Sequence, residues 1–208
     1  MIVPVWLSHP EAPEEVLVYA LLDSQSDTTF ILKDTYDKLG LTGTSVTLNL
    51  STMAKENMLI KSRKISGLKV RGFKCDEHVD LPPTYVRDIM PADRSHIPSP
   101  EVASKWPYLE KIAGELMKPA DIDIALLIGY NCTRALAPRD VILPVGNGPF
   151  AQRTDLGWGI VGVVDHSIVA EDIIGVSHRL LTRDTDVDHA QVTFSFRSQI
   201  KEVIDPSS

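Results

Sequence analysis

The sequence predicts a mainly β protein, and three observations carry that expectation. Over the first 80 residues, short β-branched and aliphatic runs follow one another closely, separated by Pro, Gly and small polar residues. Two segments, "VYALLD" at 18–23 and "IALLIG" at 124–129, are apolar without alternation, as strands buried on both faces are. Sustained helical spacing of apolar residues is confined to the stretch 99–117. Closely spaced short strands of this kind suggest a sandwich or barrel.

Residues 2–7 and 16–22 read as strands joined by the turn-rich "SHPEAPEE". "TTFILKDTYDKLGL" reads as a short strand running into one or two helical turns stopped by Gly40. In "TSVTLNLSTM", Val46, Leu48 and Leu50 alternate with Thr47, Asn49 and Ser51, the period of a half-buried strand. "AKEN" is a polar turn, and "MLIKSRKISGLKVRGF" continues as strands broken near Ser66 and Gly67. From Leu81, "LPPTYVRDIMPADRSHIPSP" is punctuated by proline and is expected to be an extended connection rather than a regular element.

Ser99 is placed as an N-cap with Pro100 in the first helical turn. Val102, Trp106, Leu109, Ile112 and Leu116 follow at near-helical spacing, with Pro107 as a break or kink. "IDIALLIGYN" is a strand ending at Gly129, and "CTRALAPRDV" a short helix stopped by Pro138. "FAQRTDLGWGIVGVV" reads as two strands around a turn, and the tail beyond about Asp165 as an extension or linker without a core of its own. The expected division is a domain over 1–165, with an inserted helical segment at 81–120, followed by a C-terminal extension at 166–208.

The chain has 208 residues, with 21 basic against 28 acidic side chains and a net charge of −7. That balance argues against a nucleic-acid-binding face. No apolar run reaches the roughly 20 residues a membrane span needs, and "MIVPVWLSHPEAPEEV" lacks the features of a signal peptide. A cytoplasmic protein with two reduced thiols, Cys75 and Cys132, is the expectation. In that setting the glycosylation sequon at Asn131 is accidental.

Gly157, Gly159 and Gly162 satisfy G-x-G-x-x-G, but "IVGVVDH" after them reads as a strand, with no βαβ unit around it. A dinucleotide fingerprint needs a helix opening at that place, so these glycines are assigned to turns and close packing. The six histidines show no ligand spacing, and neither a metal nor another cofactor is expected.

Asp23 is different. A buried strand delivers its carboxylate into "SQSDTT", where four hydroxyl residues and a second aspartate crowd within six positions. Such donors can hold a carboxylate ionised. Far downstream, "LLIGYN" supplies a second apolar strand ending in glycine, with an asparagine two residues on. Together "LLDSQSDTTF" and "ALLIGYN" resemble the two active-site motifs of retropepsin-like aspartic proteases, Asp-Thr/Ser-Gly-Ala-Asp and apolar-apolar-Gly-x-Asp/Asn. The wider text, "ALLDSQSDTTFI", "LSTM", "SGLKVRG", "LLIGYN" and "RTDLGWGIVG", is similar to the protease segment of BEL/Pao-type LTR-retrotransposon polyproteins over residues 1–165.

The resemblance implies a closed retropepsin-like barrel and a peptidase whose two carboxylates share a proton across a bound water. One aspartate signature per chain, Asp23, implies a homodimer. Its substrate would be a peptide within a polyprotein, with no metal, cofactor, nucleic acid or membrane involved. Ser24 would hydrogen-bond across the two loops, Asp27 would contact the substrate backbone, and Gly129 and Asn131 would pack behind the catalytic turn. A water-excluding flap would fall at Met53, Ala54, Lys55, Glu56 and Asn57. Two departures stand out. Gln25 occupies the third position of the triplet, normally glycine. Tyr130 stands where the family often has an arginine, which would leave the arginine–aspartate brace to Arg134 or Arg139. The alternative is a weak or inactive module of the same fold that dimerises or binds peptide.

Overall fold

The computed structural model describes residues 1–51, 57–92 and 94–162, together with the backbone of 181–184. Strands β1 (Ile2–Ser8) and β2 (Val16–Asp23) pair antiparallel from Ile2↔Leu21 to Leu7↔Val16. After a turn come β3 (Thr29–Leu32) and helix α1 (Lys33–Lys38). Gly40, with φ +63°, ends this helical stretch in the left-handed conformation that glycine adopts without strain. Next are β4 (Thr44–Ser51), β5 (Met58–Ile65), β6 (Lys69–Gly72), β7 (His78–Asp80) and β8 (Thr84–Arg87). Helices α2 (Pro100–Ser104) and α3 (Glu110–Ala113) precede β9 (Ile124–Gly129) and α4 (Thr133–Leu136). The remaining strands are β10 (Asp140–Ile142), β11 (Phe150–Thr154), β12 (Gly157–Val161) and β13 (Leu181–Asp184).

Ten strands form one sheet in the order β13-β4-β5-β8-β3-β9-β2-β1-β6-β7, and β10-β11-β12 form a second. The molecule is mainly β, as expected. The expected closed barrel is not seen: closure requires the end strands to pair, and β13 and β7 end the sheet apart among the described residues. The sheet is covered instead of closed. β12 packs over β1, and Leu156, in the turn from β11 to β12, enters the main core.

Strand alternation sorts β2 between two cores. Val18, Ala20 and Leu22 join the main cluster with Val3, Val5, Leu7, Leu126 and Ile128. Tyr19 and Leu21 point the other way, Leu21 packing against Phe30, Leu48, Leu50 and Leu127. All six residues of β9 are buried, which is why the sequence shows no polar alternation there. Each fully buried aliphatic side chain contributes roughly 1.5–3 kcal/mol, so β9 is the element the sheet can least spare.

Two sequence expectations need correction. The proline-rich segment contains a regular strand: Thr84, Tyr85, Val86 and Arg87 pair parallel to β3 from Thr29↔Thr84 to Leu32↔Arg87. Prolines 82, 83 and 91 lie outside those four residues and leave their N–H groups free to pair. The inserted segment therefore begins after Arg87 rather than at Leu81. The tail is not purely a linker, since β13 within it pairs antiparallel to β4. The helical stripe breaks at Pro107 into α2 and α3, in line with the expected break. Ser99 caps α2 as expected, its Oγ accepting from the Val102 N–H at 3.3 Å.

The inserted helices have a packing partner. Ala103, Leu109, Ile112 and Leu116 form a separate cluster with Ile142, Ala151 and Ile160 of the three-stranded sheet. No helix among the described residues is long and apolar enough to cross a membrane.

Candidate active site

The turn after β2 connects two strands that do not pair with each other. β9 lies between them, parallel to β2 with Asp23 opposite Gly129, and antiparallel to β3 with Phe30 opposite Leu127. Both sequence motifs therefore meet at one place. Gly129 is required there by contact: a Cβ would lie 2.6 Å from the carbonyl oxygens of both Ser26 and Thr28. Those are backbone atoms and cannot turn aside.

Asp23 is partly exposed at the strand end. Its Oδ1 accepts from the Gln25 N–H at 2.9 Å, and its backbone carbonyl accepts from Ser26 N–H at 3.3 Å. Ser24 and Gln25 are thus the two central residues of a tight turn, and both side chains are exposed. Among the described residues Asn57 is the sole non-glycine residue in the left-handed region, so Gln25 carries no backbone strain. This accounts for the glutamine. A turn whose third residue has negative φ accepts any L side chain, and Gln25 directs its own toward solvent.

Below the turn the hydroxyl run forms a support. Ser26 is wholly buried; its Oγ donates to the Thr28 carbonyl at 2.7 Å, and its own carbonyl accepts from Tyr130 N–H at 2.8 Å. Thr29, also wholly buried, donates from Oγ1 to Asn131 Oδ1 at 2.9 Å and accepts from Gly129 N–H at 3.3 Å. Thr28 donates to Asp27 Oδ1 at 2.9 Å. Gly129 and Asn131 thus stand behind the turn. Ser26 and Thr29 were missed as individuals. The hydroxyl run was visible in the sequence, but which hydroxyl meets which strand is set by the packing of β9.

The first amino group of the chain donates to the Leu22 carbonyl at 3.2 Å. Burial pulls its pKa down, opposed by the attraction of Asp23. Arg134 and Arg139 do not take up the expected brace. Arg134 donates to Asp155 Oδ2 at 2.9 Å and also bonds Glu77; Arg139 donates to Asp155 Oδ1 at 2.7 Å. The first hydrogen-bonding influence on Asp155 is Arg139, and the two arginines hold its carboxyl below the usual range. Asp155 stands in the turn from β11 to β12, and Tyr130, about half exposed, follows Gly129 directly beside the Asp23 turn.

Of the expected flap, Met53, Ala54, Lys55 and Glu56 lie outside the described residues. Asn57 does not: it adopts φ 55° where β5 begins, its N–H donating to Ser51 Oγ at 3.1 Å and its Oδ1 accepting from Asn49 at 3.2 Å. β4 and β5 pair in register from Thr44↔Lys64 to Leu50↔Met58, with Asn57 directly before β5.

Two surface clefts of about 680 and 600 Å³ are lined by residues of α1 and β5, and of β11 and β12, and neither includes Asp23. Ser24 and Gln25 are exposed beside the partly exposed Asp23. No protein-family profile, curated protein or solved structure matches this chain.

Proposed function

We propose that this chain is a retropepsin-like aspartic endopeptidase that works as a homodimer, with Asp23 from each protomer forming the catalytic pair and a polyprotein of the BEL/Pao retrotransposon kind as its substrate. The observation that carries the reading is the registry of Asp23 with Gly129 across β2 and β9. A partly exposed carboxylate leaves a buried strand on a tight turn whose Ser24 and Gln25 are exposed, over a support of Ser26, Thr29 and Asn131. A single carboxylate there lacks the partner that proton sharing needs, and a second copy supplies it.

In the proposed reaction the two Asp23 carboxyls share one proton across a water. Like charges about 3 Å apart cannot both ionise cheaply, so the pair titrates as a unit. One carboxylate takes a proton from the water as it attacks the peptide carbonyl. The other gives its proton to the carbonyl oxygen, and the leaving nitrogen is protonated as the bond breaks. The β4–β5 hairpin is the proposed lid, which would exclude water and strengthen these interactions.

The deciding experiment combines light scattering after size exclusion with peptide cleavage, each in the presence and absence of a pepstatin-type inhibitor. A dimer that cleaves peptides, is inhibited, and loses activity as Asp23→Asn supports the reading. A second reading, a non-catalytic module of the same fold, is favoured by Gln25 in the glycine position. It predicts a well-folded dimer that neither cleaves nor binds the inhibitor.

A further inference from the structure

We propose that Arg87 sets substrate specificity by taking a carboxylate-bearing side chain, aspartate or glutamate, placed two to three residues from the bond to be cleaved. This rests on the endopeptidase reading above and adds the class of substrate side chain that the proposed site selects.

Arg87 ends β8, two residues after Tyr85 and therefore on the same face of the strand. The Tyr85 and Phe30 rings lie 6.4 Å apart, and the Arg87 guanidinium carbon stands 5.8 Å from the centre of the Phe30 ring. Phe30 packs with Leu127 and Leu21, the residues two positions before Gly129 and Asp23. By alternation, Arg87 and Asp23 belong to one face of the sheet. Phe30 stands opposite Leu127, and Leu127 opposite Leu21. Two strand spacings of roughly 5 Å and a two-residue step of roughly 7 Å put the Phe30 region about 12 Å from Asp23. An extended peptide spans that distance in three to four residues, and in fewer where a long side chain reaches across.

The guanidinium is unfinished as it stands. Nη1 of Arg87 is buried and has no hydrogen-bond partner, and Arg87 forms no ion pair among the described residues. Burial pulls the pKa of this arginine down, with the neighbouring Asp88 only partly opposing it. A cation over an aromatic ring recovers part of the lost hydration, but a ring offers no acceptor for an N–H. A carboxylate would supply both the acceptor and the opposite charge in the planar geometry a guanidinium matches. Aligned with the expected peptide path, the open donor is the kind of group that rejects a substrate unable to pair with it.

The test scans a single glutamate through the four positions on each side of the cleaved bond in a peptide series, each member compared with its glutamine and leucine counterparts. With the full chain, kcat/KM is expected to favour glutamate at least tenfold at one position two to three residues from the bond. Arg87→Leu should level that preference, bringing kcat/KM for the glutamate and leucine peptides to within about twofold of each other. Arg87→Leu removes a half-buried charge that has no ion pair among the described residues, so its melting temperature should hold or rise. A preference that survives in Arg87→Leu, or its absence from the wild type, overturns the proposal. If no peptide is cleaved, the endopeptidase reading fails separately. Fluorescence anisotropy of the same labelled peptides then decides the role of Arg87. Tenfold tighter binding of a glutamate peptide, lost in Arg87→Leu, upholds it; equal binding or none overturns it.

Discussion

Asp23 and Gly129, drawn from opposite halves of the chain, face each other in parallel register, and the glycine has no room for even a methyl group above the Ser26 and Thr28 carbonyls. The Asp23 turn is thereby laid directly on β9. What β9 does, the turn must follow.

Gly129→Ala is accordingly expected to destabilise the protein by about 3 kcal/mol, the upper part of the range for overpacking, because the obstructing atoms are backbone. A chemical denaturation curve reads this. A variant as stable as the wild type would mean that the turn moves freely over β9.

Thr29→Val tests the support beneath the turn. It keeps the shape but removes the hydroxyl that bonds Asn131 and receives the Gly129 N–H, leaving a buried donor unsatisfied. A loss of about 1–3 kcal/mol is expected. In a double-mutant cycle with Asn131→Ala, the two changes should be less than additive by about 0.5 kcal/mol or more.

Asp23→Asn keeps an oxygen able to accept from the Gln25 N–H, so folding and melting temperature should hold. Peptide cleavage should fall by orders of magnitude, because an amide cannot share the proton. Unchanged cleavage would assign the activity elsewhere.

Gln25→Gly should be tolerated, since Gln25 is exposed and free of left-handed strain. The expected loss is about 0.5–1 kcal/mol from added freedom in the unfolded chain. Kinetics then separate two roles. A rise in activity would show that the side chain crowds the paired loops, whereas a fall at constant stability would show that it contacts substrate or partner.

Asp155 supplies a pH signature. Hydrogen bonds from Arg139 and Arg134 lower its folded pKa. A lowered value means that the unfolded chain takes up the proton first. The stabilisation is therefore complete above the unfolded value, about 3.9, and is lost as pH falls through the folded one. Asp155→Asn should reduce stability by about 1 kcal/mol at neutral pH, a modest figure because both arginines are half exposed. The gap between variant and wild type should close below about pH 4.

The local elements of this protein are written in its sequence. The alternation of Val46, Leu48 and Leu50, the capping pair Ser99 and Pro100, and the unbroken apolar run of β9 each follow from a short-range rule of periodicity, capping or burial. So does Asp23 as a carboxylate at the end of a buried strand. Tertiary structure decided which pieces meet. It drew Thr84–Arg87 out of a proline-rich stretch into the main sheet, because β3 and β5 offered it partners on both sides. It sent Arg134 and Arg139 to Asp155 instead of the Asp23 turn, and it chose Thr29 among several hydroxyls to bond Asn131. The physical reason is common to all three. Hydrogen-bond and charge pairing depends on a few ångströms between residues distant in the chain, and those distances exist only once β9 lies between β2 and β3.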